Sequence, residues 1–199
     1  MNIGILGGTF DPVHVAHLVL AEQARDQLAL DQVLFLPAGD PWRKGHRAIT
    51  PAQHRLAMLR LAIEGNDAFA ISDVELRREG PTYTADTLEA LAGERLDDAF
   101  WFIVGGDALQ DMPNWHEPER IFRHARIATA PRDRDERIDL AWAQGDAGKA
   151  GGRIDQFDCP MIELSSTEIR ARAAAGRSIR YLVTDAVERY IAEHALYTA

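Results

Sequence analysis

His14 and His17 stand three residues apart behind a glycine pair, in the stretch Gly7-Gly8-Thr9-Phe10-Asp11-Pro12-Val13-His14-Val15-Ala16-His17. Two imidazoles at that spacing share one side of a helical turn, so both can donate to a single anion. The apolar run Ile3-Gly4-Ile5-Leu6 ahead of them predicts a short strand. Gly7 and Gly8 then permit a sharp turn and close approach of a ligand to the backbone. Pro12 suits the entry to a helix, and Ala16, Leu20, Ala24 and Leu28 give that helix an apolar stripe. A helix starting behind a strand-end turn aims free N–H groups and its positive dipole end at one point, which suits phosphate. The stretch therefore predicts a phosphate cradle. A glycine pair can also mark no more than a tight connection, and neither G-x-G-x-x-G nor the P-loop pattern is present. Zinc is disfavoured because the sole cysteine, Cys159, is distant and a site needs three or four ligands.

The rest of the chain supplies elements that can position this cradle. Gln32 to Pro37 predicts a second buried strand, and the loop after it carries Trp42, Arg43, Lys44 and Arg47. Thr50-Pro51-Ala52-Gln53 has the pattern of a capped helix start, with Ala52, Leu56, Leu59 and Ile63 as the inward face. Phe69 to Ser72 predicts a third strand, and Thr84 is a natural N-cap for a helix burying Ala85, Leu88 and Leu91. Ala99 to Val104 is the strongest buried strand, ending at Gly105-Gly106-Asp107. A carboxylate at a strand's C-terminal end can accept from a ribose hydroxyl or face a metal-bound water. Trp115 reads first as a packing residue. Arg126 to Ala130 predicts a fifth strand, and 131–153, with alternating charges and four glycines between 145 and 152, a solvated excursion. Met161 to Leu164 predicts the last strand, Ser165-Ser166-Thr167-Glu168 a capping box, and Thr184 the cap of a final helix. Arg170, near the start of the capped helix, opposes the dipole and so points to an anionic ligand. Strands alternating with helices predict an α/β fold: a Rossmann-like doubly wound parallel sheet with helices on both faces, in a single domain over 1–199.

Composition narrows the function. The 199 residues carry 22 Lys and Arg against 31 Asp and Glu, a net charge of −9, which argues against nucleic-acid binding. One cysteine allows no internal disulfide, and no apolar run reaches membrane-spanning length, so a cytoplasmic protein without membrane contact is expected. A homo-oligomer is left open.

GGTFDPVHVAH resembles the first motif of the T/HIGH nucleotidyltransferase superfamily, and in its full form that of bacterial nicotinate-nucleotide adenylyltransferases. There a glycine usually precedes the second histidine, where this chain has Ala16. Further segments resemble the family in its order: Pro37, Pro41 and Lys44 in the loop, Thr82-Tyr83-Thr84 for S-Y-T, Gly105 and Asp107 for G-x-D, Trp115, and Leu164 to Arg170 for I-S-S-T-x-I-R. The resemblance implies transfer of the adenylyl group of ATP to nicotinate mononucleotide, giving nicotinate adenine dinucleotide and pyrophosphate, with Mg²⁺ accompanying ATP and no metal-ligating side chain. It implies catalytic roles for His14, His17, Lys44 and Arg170. Contacts to ATP would come from Gly7, Gly8, Thr9, Phe10, Asp107, Ser166 and Thr167. Contacts to the mononucleotide would come from Arg43, Tyr83, Thr84, Ala85 and Trp115. Three alternatives stay open: nicotinamide mononucleotide as substrate, pantetheine phosphate as substrate, and a nucleotide-binding module without catalysis. A nicotinamide-dependent oxidoreductase is disfavoured by the missing G-x-G-x-x-G.

Overall fold

The computed structural model describes residues 1–39, 49–130 and 154–198. Six strands, β1 (Asn2–Gly8), β2 (Gln32–Pro37), β3 (Phe69–Ile71), β4 (Ala99–Gly105), β5 (Arg126–Ala130) and β6 (Ile154–Gln156), form one sheet in the order β3-β2-β1-β4-β5-β6. Every pairing among them is parallel. The chain winds outward from β1 in one direction and from β4 in the other. Adjacent crossovers therefore leave opposite faces of the sheet between β1 and β4, and the crevice at their C-terminal ends is the place such folds offer to ligands.

Alternation along the strands builds two cores. Ile3 and Ile5, Leu34 and Leu36, and Phe100, Phe102 and Val104 face one side. They pack against α3 (Thr84–Glu94), α4 (Gly106–Asp111) and α5 (Pro118–His124) through Leu88, Leu109 and Ile121. Leu6, Val33, Phe35 and Ile103 face the other side, beneath α1 (Val15–Gln27), α2 (Ala52–Ile63), α6 (Ser166–Ala174) and α7 (Asp185–Glu193). A strand buried on both faces is the expected partner of helical crossovers.

Several local expectations shift. The predicted strand at Met161 to Leu164 does not form. The sheet's last strand is β6, and Met161 is 63% exposed. Thr84 is the first residue of α3 rather than its cap, which is Tyr83 with no side-chain capping bond. Pro51, not Thr50, precedes α2, and no side chain caps it. On that helix Met58 and Arg55 join Leu59 as the buried residues. On α1, Ala24 is buried and Leu20 and Leu28 pack against the core as expected, joined by the buried Ala21, while Ala16 lines a cleft that Leu20 also reaches. Ser165 and Thr184 do cap α6 and α7, accepting from Glu168 N–H at 3.1 Å and Val187 N–H at 3.4 Å. No helix among the described residues is long and apolar enough to cross a membrane.

Candidate active site

β1 ends at Gly8 and α1 begins only at Val15, so Thr9 to His14 form a loop over the C-terminal edge of the sheet. Phe10 turns this loop with a φ of 49°, a left-handed conformation that a bulky residue adopts only when its surroundings hold it. Its ring is buried, meeting Phe35 below and the edge of His17 at a centroid distance of 5.0 Å. A side chain at residue 8 would place its Cβ 3.1 Å from that ring, so glycine there gives Phe10 its seat. Phe10 thus supports the site with its ring and can offer a ligand only its backbone.

His14 is the N-cap residue of α1 and His17 lies three residues on. Their rings stack at 3.6 Å with planes 24° apart. His17 Nδ1 accepts the His14 backbone N–H at 3.2 Å, which leaves the proton of a neutral His17 on Nε2. Burial pushes the His14 pKa down from 6.5 to about 4. His14 Nδ1 is buried and has no hydrogen-bond partner among the described residues. The two stacked imidazoles stand fixed at a helix N-terminus, where their ring N–H groups can donate to an anion.

Asp11 and Arg55 hold the loop from behind. Arg55 is 2% exposed, and its Nη1 donates to the carbonyls of Thr9 and Ala38, its Nε to that of Thr50, each at 2.9 Å. One guanidinium therefore ties the signature loop to the chain on both sides of residues 40–48. Burial lowers the Arg55 pKa, opposed by Asp11. Asp11 accepts from Tyr197 Oη at 2.8 Å, and its backbone carbonyl accepts from Arg170 Nη1. Arg170 Nη2 donates to Thr167 Oγ1 at 2.9 Å, and Ser166 Oγ donates to the Pro12 carbonyl at 2.9 Å. The start of α6 is thereby stitched onto the loop between β1 and α1.

A cleft of about 720 Å³ opens beside this junction, lined by Ala16, Gly105, Asp107, Met161, Leu164 and Ser165 among others. On the opposite side of the sheet edge, the Tyr83 and His116 rings meet with centroids 4.1 Å apart and planes tilted by 31°. The adjoining Trp115 meets Phe102 edge-on at 6.1 Å and donates from Nε1 to Asp111 at 3.2 Å. The same Phe102 ring lies 3.5 Å from where a Cβ on residue 7 would stand, so Trp115 and Gly7 flank one side chain. Gly39 packs so closely on Glu75 that an added Cβ would fall 2.3 Å from its carbonyl oxygen. The Glu75 carboxyl, raised in pKa by burial, accepts from Thr87 Oγ1 at 3.0 Å.

Of the residues singled out from the sequence, Gly7, Gly8, Thr9, Phe10, His14, His17, Ser166, Thr167 and Arg170 meet around the β1–α1 loop, with Asp107 in the adjoining cleft. Tyr83, Thr84, Ala85 and Trp115 gather beyond Phe102, where the Ala85 side chain is fully buried and only its backbone can meet a ligand. Arg43 and Lys44, with Trp42, lie outside the described residues. Sequence reading passed over Arg55 and Tyr197. A cation in step with Leu59 on the apolar face of α2 was the available signal for Arg55. Tyr197 carried none, because its partner is 186 residues away.

Residues 5–172 match the model of the cytidylyltransferase-like family. The chain is 48% identical over 196 residues to a Thermomicrobium roseum protein named "Probable nicotinate-nucleotide adenylyltransferase", covering 98% of this chain and 91% of that one. A protein of the same name from Synechococcus sp. (strain JA-3-3Ab) is 47% identical, covering 98% and 94%. The fold resembles that of the Plasmodium falciparum nicotinic acid mononucleotide adenylyltransferase complexed with NaAD. There the TM-score is 0.78 at 21% identity, over 98% of this chain and 97% of that one. Carrying the GGTFDPVH loop on a 3-2-1-4-5-6 parallel sheet, the chain belongs to the nicotinate-nucleotide adenylyltransferase family, within the cytidylyltransferase-like group.

Proposed function

We propose that this protein transfers the adenylyl group of ATP to nicotinate mononucleotide, forming nicotinate adenine dinucleotide and releasing pyrophosphate. The observation that carries the chemistry is the stacked His14–His17 pair at the start of α1, beside Arg170 and at the switch point of the sheet. A phosphate oxygen of the mononucleotide attacks the α-phosphorus of ATP, a new P–O bond forms, and the bond to the β-phosphate oxygen breaks. The nucleophile is already an anion, so no general base is required. Rate then comes from alignment and from donors aimed at the phosphoryl oxygens. His14, His17, Arg170 and the amides from Gly7 to Phe10 are the proposed donors, with Ser166 and Thr167 at the start of α6.

The cleft beside Asp107 is the proposed seat of the adenosine end of ATP. The start of α3 supports the mononucleotide end. Its first turn has no side-chain cap, so the amides of Thr84 and Ala85 suit the nicotinate carboxylate. Tyr83 and Trp115 offer ring faces beside them. Arg43 and Lys44 are proposed for the mononucleotide's phosphate on the resemblance alone.

Among the described residues no three His, Cys, Asp or Glu side chains gather as a metal site. Mg²⁺ would therefore come in on the triphosphate with most of its water shell retained, and Asp107, Glu163 and Glu168 are the carboxylates lining the cleft. The ion would supply neutralising charge to the phosphates.

The test is incubation with ATP and nicotinate mononucleotide while following pyrophosphate and dinucleotide. One-to-one release that needs both substrates is expected. Bound ATP with no release would make this a nucleotide-binding module. Release with phosphopantetheine instead of the mononucleotide would move it to a sister substrate.

A further inference from the structure

Asp11 is a carboxylate 3% exposed inside a loop that must receive anions. A charge so placed needs partners on all sides. Oδ1 accepts from Tyr197 Oη at 2.8 Å; Oδ2 faces the Thr50 backbone N–H at 3.5 Å and Arg170 Nη1 at 3.8 Å. The same Nη1 donates to the Asp11 carbonyl, so side chain and backbone of one residue together fix one edge of the Arg170 guanidinium. Nη2 is held by Thr167, and the remaining N–H groups have no partner among the described residues.

Tyr197 reaches this point by unusual backbone. Ala195 and Tyr197 both have left-handed φ values, 47° and 62°, which turn the chain back after α7. Left-handed residues other than glycine persist where the surroundings hold them. Tyr197 packs onto the core cluster beneath α1 and α2. Burial, and then Asp11, raise the pKa of its phenol, so its O–H remains a donor at any physiological pH.

We propose that Tyr197 is a positioning residue for the transfer reaction: by holding the Asp11 carboxylate it keeps Arg170 directed at the ATP phosphates. This rests on the reading of Arg170 as a phosphate ligand. Tyr197→Phe removes the hydroxyl and leaves the ring packing in place. The experiment is a double-mutant cycle of Tyr197→Phe with Arg170→Ala, read by calorimetric binding of a non-hydrolysable ATP analogue, with melting temperature recorded for each protein.

Tyr197→Phe is expected to weaken analogue binding about tenfold when Arg170 is present and less than about twofold when it is absent. Equal losses in both backgrounds, or no loss, would overturn the proposal. Arg170→Ala binding like wild type would overturn it too, by removing Arg170 from the phosphates. Should Tyr197→Phe fail to fold, Asp11→Asn takes its place. It keeps an oxygen for Tyr197 but drops the charge facing Arg170, and the same non-additivity is expected. Non-additive binding in a protein that releases no pyrophosphate would uphold the positioning role while refuting the transfer reaction.

Discussion

His17 Nδ1 receives the backbone N–H of His14 while the two imidazole rings lie stacked 3.6 Å apart. The bond orients one ring, the stack orients the other, and both act before any ligand arrives. A site whose donors are already in place loses little to reorganisation when charge develops on a phosphoryl oxygen.

His14 should make the protein sensitive to acid. In the unfolded chain it titrates near 6.5, in the folded protein near 4. Between those values the unfolded state binds more protons, so stability present above pH 6.5 is lost as pH falls through 4. The full contribution is roughly 3 kcal/mol. Urea unfolding of wild type and His14→Gln from pH 7.5 to 4 checks this. The mutant's stability should fall less over that range, and parallel curves would refute the buried neutral imidazole.

His17→Ala should depress turnover more than ATP affinity. Loss of one fixed donor at a phosphoryl transfer site costs about 3 kcal/mol, or roughly a hundredfold in kcat. Steady-state kinetics with both substrates varied would read it. A kcat near wild type would leave His17 as support for Phe10 and His14.

Arg55→Met should destabilise the fold by about 3–5 kcal/mol, because three carbonyls lose their donor and Asp11 loses a nearby cation. Arg55→Lys keeps the charge but cannot span Thr9, Ala38 and Thr50 together. It should fall between the two in denaturant midpoint. A Met variant as stable as wild type would contradict the clamp.

These side chains differ in how far the sequence disclosed them. The cradle was legible because it is local: glycines, both histidines and the start of α1 lie within eleven residues. Buried strands were legible where apolar residues run together, as in Val33 to Leu36. β6 was not, since Ile154-Asp155-Gln156 has a single apolar residue. It is fixed instead by Asp155, which pairs with Arg126 at 2.6 Å and accepts from Trp101 Nε1 at 2.9 Å. Met161-Ile162-Glu163-Leu164 is mostly apolar, yet it lines the open cleft instead of pairing with a sheet neighbour. Thr50 and Thr84 misled by one residue each, because capping chemistry marks a helix start only approximately. Asp11, Arg55 and Tyr197 depend on contacts far apart in sequence, which no local pattern encodes.

Acid against amide is the measurement that tests the proposed substrate most directly. Nicotinate presents an acceptor-only carboxylate, whereas nicotinamide presents an NH₂ donor at the same position. The uncapped first turn of α3 offers donors, so the amide would set its NH₂ against them. Trp115 and Tyr83 present ring faces that cannot tell the two apart. Paired kinetics with ATP and either mononucleotide, on wild type and Trp115→Ala, decide the matter. The expected result is a kcat/KM at least ~100-fold higher for nicotinate mononucleotide, with Trp115→Ala weakening both substrates and changing the ratio little. Equal use of the two by the wild type would contradict a carboxylate held at the start of α3.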